Sequence, residues 1–443
     1  MSTRVHFLGI GGSGASAAAA IAQAQGFEVT GCDLDPHNEF TSIFQPDQLL
    51  TGHSSKHLAC NLSGYRTNVD ILAVTPAIFS LDPDNPELLA GKEKNIPILT
   101  WQQFLGEYLA KDKFVIAVCG THGKTTTTAM IAKLLEDAGL DPTVELGAIV
   151  PKWKTNYRIG SGKYFVVEAD EFNDNFLHLK PDIIVVTNIE MDHPEYFKDF
   201  EAVKESFKKF LLQTKEAVVA NLTDPGAAEV VKVVMKAPQK NKVQYLDYSK
   251  NELGVDLKIP GGFNRLNAKA AMQVGLILGI NPQMIQKSLS GYTGVGRRFE
   301  HIGQFKGAEI YSDFGHHPTE IQKTMEVTRE KFPNQRILLV YQPHMFSRTK
   351  ALFDDFVKVF QKLPVDEAFI IDIYPSREID TGLVTSRQLV EAIHKHSVSY
   401  IGSTSQTLER LKTQIEPGDI VFFMSAGDTD KLAKELVKRS ASS

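Results

Sequence analysis

The sequence predicts an α/β protein built on mainly parallel sheets covered by helices on both faces. Three observations lead there. Short apolar runs of strand length alternate with amphipathic stretches of helical length from end to end. Two glycine-rich turns each follow an apolar run and open a helical stretch. The 443 residues suffice for three domains, at about 150 residues each, with a core in each.

Taken in order, strands are expected at residues 5–10, 28–32, 71–74, 115–119, 164–168, 183–187, 217–221, 337–341, 368–371 and 420–424. These runs are rich in Val, Ile and Phe and too short for helices. Residues 15–25, 101–110, 126–138, 200–212, 267–278 and 352–363 carry helical patterns. Lys111-Asp112-Lys113 separates one helical pattern from a new strand, and the glycine-rich residues 291–298 precede a further set of strands. The expected domains are therefore residues 1–107, 108–297 and 298–443.

Composition excludes several classes. Lys plus Arg number 48 and Asp plus Glu 53, a net charge of −5, which offers no basic footprint for nucleic acid or an anionic membrane. Cys32, Cys60 and Cys119 are odd in number and far apart, so a disulfide framework is not expected and a reducing compartment is. No apolar run approaches the ~20 residues that span a bilayer. The first residues run directly into a strand and a glycine turn, unlike a signal peptide. A cytoplasmic protein is expected.

The first glycine motif is Gly9-Ile10-Gly11-Gly12-Ser13-Gly14. Glycines there let the backbone approach a diphosphate seated on a helix N-terminus. Asp33, about 20 residues on, is placed to accept ribose hydroxyls. NAD is one ligand this motif permits, and a ligand-free strand–helix turn is the structural alternative. The second motif is Gly120-Thr121-His122-Gly123-Lys124-Thr125-Thr126. It departs from a strict phosphate-binding loop at Val118 but keeps Gly123-Lys124-Thr125. Its backbone N–H groups would cradle ATP phosphates, Lys124 would neutralise the outer oxygens, and the Thr125 hydroxyl would ligate Mg²⁺. Lys124 is expected to be exposed, ahead of a run of four threonines with no packing purpose.

Acids downstream suit that cation. Glu168 and Asp170, two apart at a strand end, are expected on one face, with Glu168 able to hold Mg²⁺. Residues 188–193 (NIEMDH) form another oxygen- and imidazole-bearing loop. By chemistry alone His193 reads as an ordinary loop histidine, because Mg²⁺ prefers oxygen.

Together these motifs resemble the Mur ligases, the ATP-dependent amino-acid ligases of peptidoglycan precursor synthesis. The resemblance rests on residues 6–14 (HFLGIGGSG), 120–128 (GTHGKTTTT), 167–171 (VEADE), 176–181 (FLHLKP) and 187–193 (TNIEMDH). It continues through 263–268 (FNRLNA), 296–299 (GRRF), 313–319 (DFGHHPT) and 342–349 (QPHMFSRT), in the family's order.

The resemblance implies a Rossmann-like N-terminal domain for a UDP-sugar, a central P-loop ATPase-type domain with a parallel sheet, and a Rossmann-like C-terminal domain for the incoming amino acid. It assigns UDP diphosphate, not NAD, to Gly9, Gly11, Gly12, Ser13 and Gly14, with Asp33, His53, Thr75 and Ala77 in the same pocket. ATP falls to residues 120–126, with Asn264, Asn267, Arg297 and Asp313. Lys124 is implied at the γ-phosphate, and Thr125, Glu168 and His193 at Mg²⁺. His316, His317, His344 and Arg348 belong to the face receiving the amino acid. Lys124, Glu168, His193, His317 and Arg348 form the implied catalytic set, and Lys208 or Lys209 stands near where some members carry a carbamylated lysine.

The implied reaction adds L-alanine to the carboxylate of UDP-N-acetylmuramate through an acyl phosphate, by a monomer or homodimer. Attachment of an intact tripeptide to the same nucleotide is the alternative. An NAD-dependent oxidoreductase or a non-catalytic ATP-binding regulator leaves most of the motifs unused. Phe314 and Met345 depart from the Tyr and Arg usual in alanine-adding members, which leaves the incoming amino acid open; Phe263 is a smaller departure. Trp101, Trp153 and most phenylalanines are expected in the core, Cys119 as a small buried residue, and residues 204–209 as a solvated helix face.

Overall fold

The computed structural model describes residues 2–59, 69–238 and 242–440; Cys60 lies outside them. Two compact units emerge, one of residues 1–192, 199–257 and 265–292, the other of residues 193–198, 258–264 and 293–443.

The first unit holds two sheets. Strands β1 (Arg4–Leu8), β2 (Glu28–Asp33), β3 (Leu49–Thr51), β4 (Ile71–Val74) and β5 (Ile98–Thr100) form a sheet ordered β3-β2-β1-β4-β5, parallel throughout. The second sheet contains β6 (Phe114–Cys119), β7 (Thr143–Val150), β8 (Thr155–Arg158), β9 (Tyr164–Glu168), β10 (Ile183–Val186), β11 (Ala217–Ala220) and β12 (Gln244–Asp247). Its order is β12-β11-β10-β6-β9-β7-β8, and only β7 and β8 pair antiparallel. Every residue of β10 and β11 is buried, as strands covered on both faces require.

The second unit carries β13 (Glu300–Phe305), β14 (Ala308–Asp313), β15 (Ile337–Tyr341), β16 (Glu367–Ile371), β17 (Val398–Gly402) and β18 (Ile420–Met424). They are ordered β13-β14-β18-β15-β16-β17, with β13–β14 the antiparallel pair. Alternate residues feed two cores. Leu339, Tyr341, Ile370, Phe422 and Met424 pack on one face, and Leu338, Val340, Phe369, Val421 and Phe423 on the other. This is the period-two pattern of a sheet buried on both sides.

The α/β class and the ten expected strands are present. Eight further strands, β3, β5, β7, β8, β12, β13, β14 and β17, lie at a sheet edge or next to one. Edge strands are short or half polar because one side lacks a neighbour, so their apolar signal is weak. Residues 101–110 are not one α-helix: Trp101–Phe104 is α-helical and Leu105–Leu109 is a π-turn. Trp101 and Trp153 are half-buried, contrary to expectation; the Trp153 indole N–H donates to Glu136 at 3.3 Å, so a polar tip keeps it near the surface. Cys119 is fully buried. Lys204 and Lys208 pair with surface acids, Lys204 with Glu201 and Glu229 and Lys208 with Glu205. Among the described residues no helix is long and apolar enough to cross a membrane.

Candidate active site

The first glycine motif forms the turn between β1 and the helix Ser13–Ala24. Gly9 and Ile10 donate their N–H groups to the Cys32 carbonyl at 2.8 and 3.1 Å. Gly9 has φ +87°, and a Cβ there would stand 2.6 Å from Thr75 Cγ2, so only glycine fits. Thr75 is held in turn by its N–H on the Leu8 carbonyl at 2.9 Å. Ala77 begins the short helix Ile78–Leu81. Gly12 precedes the first helical residue, Ser13, and Gly14 follows in the first turn. Asp33 Oδ2 accepts the Gly11 N–H at 3.0 Å and its Oδ1 the Leu34 N–H at 2.8 Å. The carboxylate buttresses the turn itself. His53 Nδ1 lies 3.4 Å from Cys32 Sγ.

The second motif leaves the carboxyl end of β6, the central strand of the second sheet, where open α/β sheets bind ligands. Gly123 has φ +82° and caps the helix Lys124–Asp137; a Cβ there would meet Asn267 Oδ1 at 2.7 Å. Thr187 Oγ1 donates to the His122 carbonyl at 2.7 Å, the His122 N–H donates to Asn188 Oδ1 at 2.9 Å, and the Glu190 N–H to Thr121 Oγ1 at 2.8 Å. The loop after β10 therefore clamps the turn after β6.

Lys124 is not exposed. Its Nζ donates to the Gly120 carbonyl at 2.7 Å and to Glu171 Oε2 at 2.9 Å. Burial disfavours its charge, but the carboxylates of Glu171, Asp170 and Glu168 outweigh it and push the ammonium pKa up. The four threonines are all buried, so they do pack, contrary to expectation. Thr125 Oγ1 donates to Glu168 Oε1 at 3.0 Å, and Glu168 Oε2 accepts the Gly147 N–H at 2.8 Å. Thr126 is the third residue of the helix. The strand ends at Glu168, so Asp170 stands in the following loop rather than sharing a strand face with it. The pair of oxygens on Thr125 and Glu168 suits a hard divalent cation.

Some buried acids carry no motif, Glu145 among them. Glu145, in β7, is 3% exposed; burial, and then Glu168 and Asp170, push its carboxyl well above the usual range. A lone Glu between apolar residues (Thr143–Val150, TVELGAIV) is the only signal it leaves.

Asn264 and Asn267 lie three apart in the helix Gly262–Ile277. Asn264 Nδ2 donates to the Pro260 carbonyl at 2.6 Å.

The second unit gathers the remaining residues. Arg297 Nη2 donates to the carbonyls of Ser425 and Gly427 at 2.6 and 2.7 Å. Asp313, at the end of β14, accepts N–H groups from Gly315 and Phe299, both at 2.8 Å, and burial raises its pKa. His317 caps the helix Pro318–Lys331. The His316 N–H donates to Glu320 Oε2 at 3.0 Å. Arg348, 2% exposed, donates to His344 Nδ1 at 3.2 Å, and its Nη2 lies 3.4 Å from His193 Nδ1. His193 Nδ1 also lies 3.2 Å from Glu195 Oε1, and Arg377 bonds the same oxygen. Burial raises the Glu195 pKa, but His193, Arg348 and Arg377 together hold it at about 2. Burial, with His316 and Arg348 beside it, lowers the pKa of His344 to about 2. Glu195 and Arg377 belong to this cluster yet no motif marked them.

Three family models match: "Mur ligase family, catalytic domain" over residues 4–113, "Mur ligase middle domain" over 118–275, and "Mur ligase, glutamate ligase domain" over 297–427. The chain is 35% identical to the UDP-N-acetylmuramate–L-alanine ligase of Aquifex aeolicus, covering 98% of this chain and 97% of that one. The crystal structure of the UDP-N-acetylmuramate-alanine ligase of Thermotoga maritima superposes with a TM-score of 0.78 at 25% identity, covering 99% of each chain. A murein peptide ligase of Psychrobacter arcticus shares the fold, with a TM-score of 0.71 at 20% identity over 100% of this chain and 98% of that one. With all three domains matched in order and full-length relatives of this similarity, the chain belongs to the Mur ligase family.

Proposed function

We propose that this protein joins L-alanine to the lactyl carboxylate of UDP-N-acetylmuramate while ATP is cleaved to ADP and phosphate. The carrying observation is the buried Lys124 turn at the end of the second sheet. It lies in a chain that matches alanine-adding relatives over its full length. A carboxylate and an amine do not condense unaided in water. The γ-phosphoryl of ATP activates the carboxylate as an acyl phosphate; the amine then attacks and phosphate leaves.

Residues 1–107 are assigned the UDP-sugar, 108–297 ATP, and 298–443 the amino acid. In the first, the Gly9–Gly14 turn supplies backbone donors at a helix N-terminus for the UDP diphosphate. In the second, Lys124 offsets the repulsion between phosphoryl oxygens and the carboxylate. Thr125 and Glu168 would hold Mg²⁺, which supplies further charge neutralisation when bound; His193 is assigned beside it on resemblance. In the third, Arg348 is a buried cation held by His344, which burial keeps neutral and so able to accept. His317 and Asp313 set the start of the helix and the loop around it.

The test is an ADP-release screen of amino acids with UDP-N-acetylmuramate. L-Alanine is expected to give the highest kcat/KM. Turnover only with an intact tripeptide would move the assignment to the alternative, and no turnover with this nucleotide sugar would overturn it.

A further inference from the structure

Four metal-binding side chains converge beneath the Gly9–Gly14 turn. Glu87, fully buried, stands at the centre: its Oε2 lies 3.1 Å from His6 Nε2 and its Oε1 3.0 Å from His57 Nδ1. Cys32 Sγ is 3.1 and 3.3 Å from the two carboxylate oxygens. One ligand atom from each of the four lies within 4.8 Å of every other. They come from β1, β2, the 3₁₀ turn Ser55–Ala59 and the helix Pro86–Glu93.

We propose that His6, Cys32, His57 and Glu87 form a site for a zinc-class divalent cation, distinct from the oxygen pair assigned to Mg²⁺. Zinc takes Cys, His and carboxylate ligands tetrahedrally, and its bond lengths set ligand–ligand edges of roughly 3.3–3.6 Å; the contacts of Glu87 with the other three side chains, at 3.0–3.3 Å, are near that length. Mg²⁺ does not suit a thiolate and two imidazoles. The outer contacts are those a ligand set needs. His6 Nδ1 lies 2.8 Å from the buried Thr30 hydroxyl, which orients the ring with Nε2 toward Glu87. The Ser54 N–H donates to Glu87 Oε1 at 3.0 Å, and Asn85 caps the helix that carries it. His6, Cys32 and Glu87 are fully buried, whereas the His57 side chain is 15% exposed, giving the cation a way in.

On binding, Cys32 would release its thiol proton to solvent and ligate as thiolate, with Glu87 entering as carboxylate and both imidazoles neutral. Because the thiol proton must leave, metal binding is coupled to proton release. The site would pin the Cys32 carbonyl, which accepts the Gly9 and Ile10 N–H groups, and so stiffen the turn. The inference uses no part of the proposed reaction, and its failure would leave that reading untouched.

The experiment uses the full chain, stripped with a chelator and supplied with excess Mg²⁺ to occupy hard-oxygen sites. Zn²⁺ alone is then titrated, and Co²⁺ alone is used as a spectroscopic probe. One equivalent of tightly held Zn²⁺, a rise in melting temperature, and a thiolate-to-Co²⁺ absorption band are expected. Cys32→Ser should remove the band. His57→Asn, at the more exposed ligand, should weaken Zn²⁺ binding at least about 100-fold, since even outer-shell losses cost 10–100-fold. If Cys32→Ser does not fold, His57→Asn decides alone. No stoichiometric Zn²⁺, a Co²⁺ spectrum without a thiolate band, or unchanged affinity in His57→Asn would overturn the proposal. The four residues would then be a hydrogen-bonded network around Glu87.

Discussion

Replacing Lys124 with alanine removes two separable things. The first is the cation proposed to meet the transferred phosphoryl group. Fixed donors of that kind are worth roughly 10²–10³ in kcat, about 2.7–4 kcal/mol. The second is the partner of Glu171, which lies 2.9 Å from Nζ with side-chain exposures of 13% for Lys124 and 2% for Glu171. At such burial, solvent screens little, and breaking the pair from one side costs about 3–5 kcal/mol. Lys124→Ala is therefore expected to lose both activity and thermal stability. Lys124→Ala/Glu171→Gln also removes the carboxylate charge that Lys124 pairs at 2.9 Å, leaving only the weaker influence of Asp170 and Glu168, so its melting temperature should recover in large part while its kcat stays at least about 100-fold down. ADP release at saturating substrates, read beside thermal unfolding, separates the two effects. A double variant with near-parental kcat refutes the phosphate role. A single variant as stable as the parent refutes the buried pair.

Gly123→Ala should weaken ATP binding at least about tenfold, measured by calorimetry, because φ +82° strains any residue with a Cβ and Asn267 Oδ1, 2.7 Å from that Cβ, would have to move; normal ATP affinity would contradict the turn's proposed role. Thr125→Val keeps shape but removes the hydroxyl that donates to Glu168, so the Mg²⁺ concentration for half-maximal activity should rise about tenfold, one lost charge-assisted bond; an unchanged Mg²⁺ requirement would remove Thr125 from the metal set. His344→Gln tests pH linkage. With the folded pKa near 2 and the ordinary value 6.5, the unfolded state binds the extra proton between them, so stability falls as pH drops below 6.5. The charged groups facing His344 are His316, Arg348, Arg377 and Glu195. From pH 6.5 to about 5 the loss is about 2 kcal/mol. The variant should lose that much less over the same range in denaturant unfolding, and parallel curves would show that His344 does not titrate on unfolding.

What was legible in the sequence was what burial and backbone geometry force on residue type. The central strands are apolar because both faces are covered. The two glycine turns are visible because Gly9 and Gly123 stand at positive φ close against Thr75 and Asn267, where a Cβ is strained. Lys124, Thr125 and Glu168 were legible by their spacing around a strand and a helix start. Edge strands such as β12 were not, because one open side relaxes the demand for apolar residues. Nor were Glu145, Glu195 and Arg377. Arg377 joins its cluster through tertiary packing across a long sequence gap, 182 residues from Glu195, and Glu195, though two residues from His193, gains that cation only in the fold. The local role of Asp33 was not legible either: it ends β2, and only the folded turn brings the Gly11 and Leu34 N–H groups to its two oxygens.

The departures at Phe314 and Met345 acquire a physical reading in the same way. The Phe314 ring lies 4.9 Å from the guanidinium carbons of both Arg297 and Arg298, so its face, not a hydroxyl, orders two cations, at about 0.5–2 kcal/mol each. A phenol would keep that face, and its loss as a hydroxyl donor therefore leaves the arginines where they are. Met345 is 1% exposed with φ +70°; its carbonyl accepts the Thr349 hydroxyl at 2.7 Å, which anchors the start of the helix Phe346–Ala351. A guanidinium is missing at that position, but Arg377 reaches Glu195 beside His193 and Arg348. The cluster thus holds two guanidinium groups, one of them delivered from a distant segment. Charge at this end of the protein follows from which side chains the fold assembles, and a motif read residue by residue undercounts it.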